Sequence, residues 1–216
     1  LSASNVTDLS IIGLDLSSTT GTRVGNGISL TNCTNPSITQ CNIQFRSIGV
    51  LLSSGTINPI VQNNDFSNSG TQSNVAALQM NGVTGLAVGA VTGNTFGGSE
   101  SRTFLYINNT AVASGTFLID DGTSGTAHIE IAGGSSIGAA TNDNIFRLDN
   151  LTDVLVDNVE FARSTSVRAG SGILSSNCTN ISITNSDFTY LHAGLQLNAG
   201  TVNPIVQIND FSNSGT

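Results

Sequence analysis

The sequence predicts an all-β fold, a right-handed parallel β-helix of about eight to nine coils with three short strands per coil. A long internal repeat, a shorter rhythm inside it and the composition each point there. Residues 1–71 and 146–216 are one segment written twice, at a constant offset of 145 positions and without a gap. Of the 71 aligned pairs, 32 are identical. Thr56-Ile57-Asn58-Pro59-Ile60-Val61-Gln62 returns as Thr201-Val202-Asn203-Pro204-Ile205-Val206-Gln207. Self-similarity at a fixed period marks a repeat architecture, so residues 1–216 are expected to form a single β-helix domain.

The composition is that of strands and turns. Only 9% of the residues are charged, 24 are Gly, Trp is absent and every Lys/Arg position is Arg. Ser, Thr, Asn and Gly separate short runs of Ile, Val, Leu and Phe. The apolar share of 38% is too high for a disordered chain. A net charge of −8 argues against nucleic acid, which calls for a basic stripe. No apolar run approaches the ~18 residues of a membrane span.

The shorter rhythm gives the coils in order. Asn or Gly closes a strand at Asn5, Asn32, Gly55, Gly82, Asn109, Asn150, Asn177 and Gly200, mostly 23 or 27 residues apart. The second coil places its apolar runs around Ile38, residues 43–45 and residues 50–52. The third places them at residues 60–61, Phe66 and residues 76–78. The fourth places them at residues 86–88, Phe96 and residues 104–107. The longer gap from Asn109 to Asn150 is expected to hold two coils. Ahead of the middle run, a small or polar residue stands three positions before an apolar one: Gly13 and Leu16, Gln40 and Ile43, Asn63 and Phe66, Gly93 and Phe96, Asn158 and Phe161, Asn185 and Phe188. Sandwiches and propellers use blades or domains of roughly 40–100 residues and do not fit this step. Stacked coils turn each position into a ladder, so turn Asn residues can bond the Asn above and below. Cys33 and Cys178 are equivalent positions, roughly 29 Å apart if about six coils separate them. With Cys41 they are expected to pack as small buried hydrophobes.

This pattern, as in Ile181-Ser182-Ile183-Thr184-Asn185-Ser186-Asp187-Phe188, resembles the right-handed parallel β-helix (pectin-lyase-like) repeat proteins, most of all their bacterial surface and adhesin-type members. The resemblance covers the whole chain and implies a fold. Its members include polysaccharide lyases and hydrolases, phage tailspikes and surface adhesins.

Candidate chemistry is sparse. The residue before the middle apolar anchor is Asp15, Asn42 and Asp65 in the first copy and Glu160, Asp187 and Asp210 in the second. Stacking would bring the last three within about 5 Å of their neighbours, a spacing that raises pKa values or recruits a cation. The plainer alternative is a solvated outer face. Asp120-Asp121 with His128 loosely resembles the site of pectin-hydrolysing β-helices, yet the Gly-His-Gly and Arg-x-Lys elements are missing and Asp-Asp-Gly is an ordinary turn. A lyase needs a basic group beside acidic ligands, but Arg23, Arg46, Arg102, Arg147, Arg163 and Arg168 are scattered. Tyr190 and His192 lie close together but are Phe45 and Ser47 in the first copy. Six Asn-x-Ser/Thr sequons, at Asn5, Asn32, Asn108, Asn150, Asn177 and Asn180, mostly coincide with the turn ladder.

The expected function is a non-catalytic structural or adhesive segment of a long repetitive extracellular, cell-surface protein or filament. No cofactor is expected, its partners are expected to be further coils of its own kind and glycans, and its ends are expected to be open and self-complementary. The alternative is a polysaccharide-acting enzyme or tailspike-like glycan binder using Asp120, Asp121, Glu160, Asp187 and Asp210.

Overall fold

The computed structural model describes residues 1–19, 25–72, 75–98, 102–122, 127–131, 143–162 and 170–215. Arg23, Arg163 and Arg168 lie outside the described residues. The described chain winds as a parallel β-helix. Sheet I holds eight strands in the order Ser2–Ser4, Asn26–Thr31, Ile48–Ser53, Leu78–Asn81, Leu105–Asn108, Asn144–Asp149, Ser171–Ser176 and Ala193–Leu197. Sheet II holds nine: Ser10–Ile12, Ser37–Thr39, Ile60–Gln62, Val91–Thr92, Ile129–Glu130, Phe117–Asp120, Thr152–Asp157, Thr179–Thr184 and Ile205–Gln207. Sheet III is the pair Glu160–Ala162 and Asp187–Thr189, continued by the single bridges Asp15 to Asn42, Asn42 to Asp65, Asp65 to Thr95 and Asp187 to Asp210. All these pairings are parallel.

Corners in the left-handed backbone region separate the faces. In the second coil they are Asn32, Asn35, Gln40 and Phe45, with φ between 51° and 57°. An L-residue loses energy there, and Asn and Gly lose least. That is why Asn or Gly closes the strands. Each residue standing three positions before the middle anchor is such a corner: Gly13, Gln40, Asn63, Gly93, Asn158 and Asn185 all have positive φ. The chain turns there, and the second residue after it enters sheet III.

Side chains at the corners form directional ladders. Asn58 Nδ2 donates to Asn35 Oδ1 at 3.0 Å, and Asn35 Nδ2 donates to Asp8 Oδ1 at 2.9 Å. The second copy repeats this, with Asn203 donating to Asn180 at 3.2 Å and Asn180 to Asp153 at 2.8 Å. A parallel rung inside the core joins Asn64 to Asn94: Asn64 Nδ2 donates to Asn94 Oδ1 at 3.0 Å and to the Ile38 carbonyl at 2.9 Å.

The core between the sheets is aliphatic and aromatic. Phe161, Phe188 and Phe211 stack with ring centroids 4.7 and 4.8 Å apart and planes within 8°. Gly172 makes room for that stack, since a Cβ there would lie 2.6 Å from the Phe188 ring. Cys33, Cys41 and Cys178 are free and buried, as expected. They line inner positions where a small apolar group closes a corner.

Two expectations change. The fourth coil enters sheet II at Val91–Thr92, not at residues 86–88. Ile57 bridges Thr84, an offset of 27, whereas Val61 pairs with Val91, an offset of 30, so three extra residues bulge between them. A turn closed by the Ala90 N–H on the Ala87 carbonyl absorbs them. The stretch from Asn109 to Asn150 does not add two coils among the described residues. It adds one sheet I strand, Asn144–Asp149, and two sheet II strands in reversed order, with Ile129–Glu130 inserted between Val91–Thr92 and Phe117–Asp120. Cys33 and Cys178 stand at the corner between sheets that count five steps (sheet I) and six steps (sheet II) between the two copies, about 24–29 Å at the usual strand spacing.

Candidate functional site

The acidic row sits on sheet III because a corner residue aims the chain there two positions earlier. Glu160 pairs with Asp187 and Asp187 bridges Asp210, so the three predicted carboxylates occupy one column on consecutive coils. In the first copy the column reads Asp15, Asn42 and Asp65, and Thr95 follows on the next coil, so charged and neutral residues alternate. Local turns occupy several of these carboxylates. The backbone N–H groups of Ser17, Ser67 and Ser212 donate to Asp15, Asp65 and Asp210 at 3.0, 2.8 and 2.8 Å. These are Asx turns. The Ser hydroxyl and N–H bonds hold the Asp15 and Asp210 carboxyls below their usual range.

Beside the upper part of the column lies a polar cavity of about 240 Å³, lined by Asp121, Ile131, Asn158, Val159, Glu160, Asn185 and Asp187. Three of the five acids proposed for the enzyme alternative, Asp121, Glu160 and Asp187, thus share one depression. Asn158 Nδ2 donates to Asp121 at 2.8 Å, and Asn185 Nδ2 donates to Asp157 at 2.7 Å. Asp210 lies one coil further along the column. Chemically, the cavity can offer carboxylate acceptors and amide donors to a hydroxylated or cationic ligand. Among the described residues no group of three or more His, Cys, Asp and Glu side chains is gathered closely enough to hold a metal ion.

Asp120, Asp121 and His128, which loosely resemble a hydrolytic site, have different surroundings. Asp120 is 2% exposed and accepts the Gly122 N–H at 2.8 Å, which makes it a turn residue. His128 is buried with its ring 6.4 Å from that of Phe117, and burial pulls its pKa below the ordinary imidazole value. Only Asp121 faces the cavity. Tyr190 is a left-handed corner like Phe45, and His192 is exposed beside it.

The described arginines make structural contacts. Arg147 Nε bonds Asp149 Oδ2 at 2.8 Å while its guanidinium lies 4.6 Å over the Tyr106 ring. Arg46 Nε reaches the Leu16 carbonyl of the preceding coil at 2.6 Å. Five of the six sequon asparagines, Asn5, Asn32, Asn150, Asn177 and Asn180, are corners, whereas Asn108 ends a sheet I strand; Asn5 Oδ1 accepts from Asn32 at 2.6 Å, and Asn108 Oδ1 accepts from Asn150 at 2.8 Å. Glu130, which accepts the Thr92 hydroxyl, and Asp157, which accepts from Thr184, were missed as polar contributors. Glu130 reaches its place only through the reversed strand order. Asp157 was legible as the residue preceding the Asn158 corner.

Among the described residues no helix is long and apolar enough to cross a membrane. No protein-family model matches the chain, and neither the curated proteins nor the solved structures give a significant match.

Proposed function

We propose that this β-helix is a non-catalytic structural or adhesive segment of a long repetitive extracellular surface protein or filament, of the adhesin-like kind within the pectin-lyase-like group, with coils continuing end to end. One observation carries the proposal. The second copy lays its strands in the positions of the first, as Asn26–Thr31 and Ser171–Ser176 or Ile60–Gln62 and Ile205–Gln207 illustrate, and both stand in common sheets. Such duplication extends a rod by repeating its nearest-neighbour contacts. Asp120 and His128 serve a turn and the core, which supports the same reading.

The cavity at Asp121, Glu160 and Asp187 favours a second reading, a polysaccharide-acting enzyme or tailspike-like glycan binder. A screen of residues 1–216 on pectin, alginate and host-type glycans separates the two. The structural role predicts no turnover. Turnover lost in Asp187→Asn or Asp121→Asn would establish the enzyme.

A further inference from the structure

The coil at residues 201–215 repeats the coil at residues 56–70 with only two differences, Val202 for Ile57 and Ile208 for Asn63. The interior version is covered. Thr84 bridges Ile57, Val91 pairs with Val61 and Thr95 bridges Asp65, while the Phe96 ring lies 5.3 Å from that of Phe66. The covering coil carries Gly85 and Gly98 over Asn58 and Asn68, and a Cβ at either would overlap the amide oxygen beneath. In the last coil the equivalent Val202, Val206 and Phe211 are 40–49% exposed.

Resting on the end-to-end continuation proposed above, we infer that this C-terminal face docks a coil with the chemistry of residues 75–98 and rejects the N-terminal coil of a second copy. The amide ladder supplies the first reason. Asp153 only accepts, Asn180 donates down to it, and Asn203 donates down to Asn180, which leaves the Asn203 oxygen facing outward. Glycine above that oxygen requires no bond, as Gly85 shows over Asn58. A second copy stacked in continuing register would set Asp8 there, because Asp8 holds the same corner as Asn35 and Asn58. Two amides between two carboxylates make three links, and each amide donates along the column in one direction only. One link is then acceptor against acceptor whichever way the amides turn. Charge supplies the second reason. Asp15 would fall on Asp210 and extend the column Glu160–Asp187–Asp210 to four carboxylates, whereas Thr95 follows Asp65 in the interior.

The test extends the full chain beyond Thr216 in two ways. One protein receives residues 72–98. The other receives residues 72–77 followed by residues 1–19, which keeps the register because Ser2 and Gln79 occupy the same column. The first addition is expected to raise the thermal midpoint by about 5 °C or more, and the second by less than half as much. Asp8→Gly with Asp15→Thr in the appended segment is expected to restore most of the difference. An equal rise from the unaltered 1–19 segment, a failure of that rescue, or end-joined filaments of the unextended chain would each overturn the selectivity. No rise from either addition would overturn the end-to-end continuation itself.

Discussion

Ile208 sits where the first copy has Asn63. It is a β-branched residue held at φ 55° with its side chain 82% exposed. The left-handed region costs an ordinary L-residue about 1–2 kcal/mol and Asn less. With almost no burial to offset that cost, Ile208→Asn is expected to stabilise the protein by about 1 kcal/mol in thermal or urea unfolding. An unchanged or lowered stability would contradict the corner account. His128 gives a second prediction at this scale. Its Nδ1 has no hydrogen-bond partner, and burial depresses its pKa. The unfolded chain then binds the proton more readily than the folded one. Stability is therefore full above the ordinary imidazole value of about 6.5 and falls as pH drops toward the depressed folded value. Asp15 and Asp210, also depressed, keep their contribution until pH falls through the carboxylate range, below about pH 4. His128→Phe should flatten the slope of melting temperature between about pH 7 and 5, and an unaltered slope would contradict the assignment. Corners at Asn5, Asn32 and Asn177 were legible because Asn is a ready left-handed former. Phe45, Tyr190 and Ile208 were not, because their side chains disfavour the conformation that stacking imposes on them.

At the scale of the element, each coil is held by what lies above and below it. Asn64 is 1% exposed, accepts the Cys41 N–H at 2.9 Å and donates to both Ile38 and Asn94. Asn64→Leu strands the Cys41 N–H and the Ile38 carbonyl's side-chain contact, and is expected to cost about 3 kcal/mol in unfolding free energy. The aromatic stack gives a paired comparison. Phe188 is fully buried between Phe161 and Phe211, so Phe188→Ala is expected to cost about 3–5 kcal/mol. Phe211→Ala, 40% exposed on the last coil, should cost less than half of that. Equal losses would mean that stacking does not propagate from coil to coil. The anchors of sheet III were legible from their fixed distance behind a corner. The insertion ahead of Val91–Thr92 was not, since Leu86 keeps an apolar pattern although it only bridges Val112. The out-of-order strand Ile129–Glu130 left no periodic trace either, because it pairs with Phe117–Asp120 only ten residues earlier and with Val91, neither at the 23- or 27-residue step of the coils. The same order brought Glu130 to the Thr92 hydroxyl, and Asp121 but not its neighbour Asp120 lines the cavity, a division the Asp120-Asp121 pair does not show in sequence.

For the whole molecule, the central claim is that the 145-residue block is a unit of length. One block spans five steps in sheet I, from Asn26–Thr31 to Ser171–Ser176, and six in sheet II, from Ser37–Thr39 to Thr179–Thr184. At the usual strand spacing that is about 24–29 Å of rod. Adding residues 72–216 after Thr216 therefore makes a chain whose extra block has a defined register. Small-angle X-ray scattering of the two proteins measures the result directly. An unchanged cross-section with a maximum dimension longer by about 24–29 Å is the expected outcome. A second compact body beside the first, or a thicker particle of unchanged length, would contradict the account.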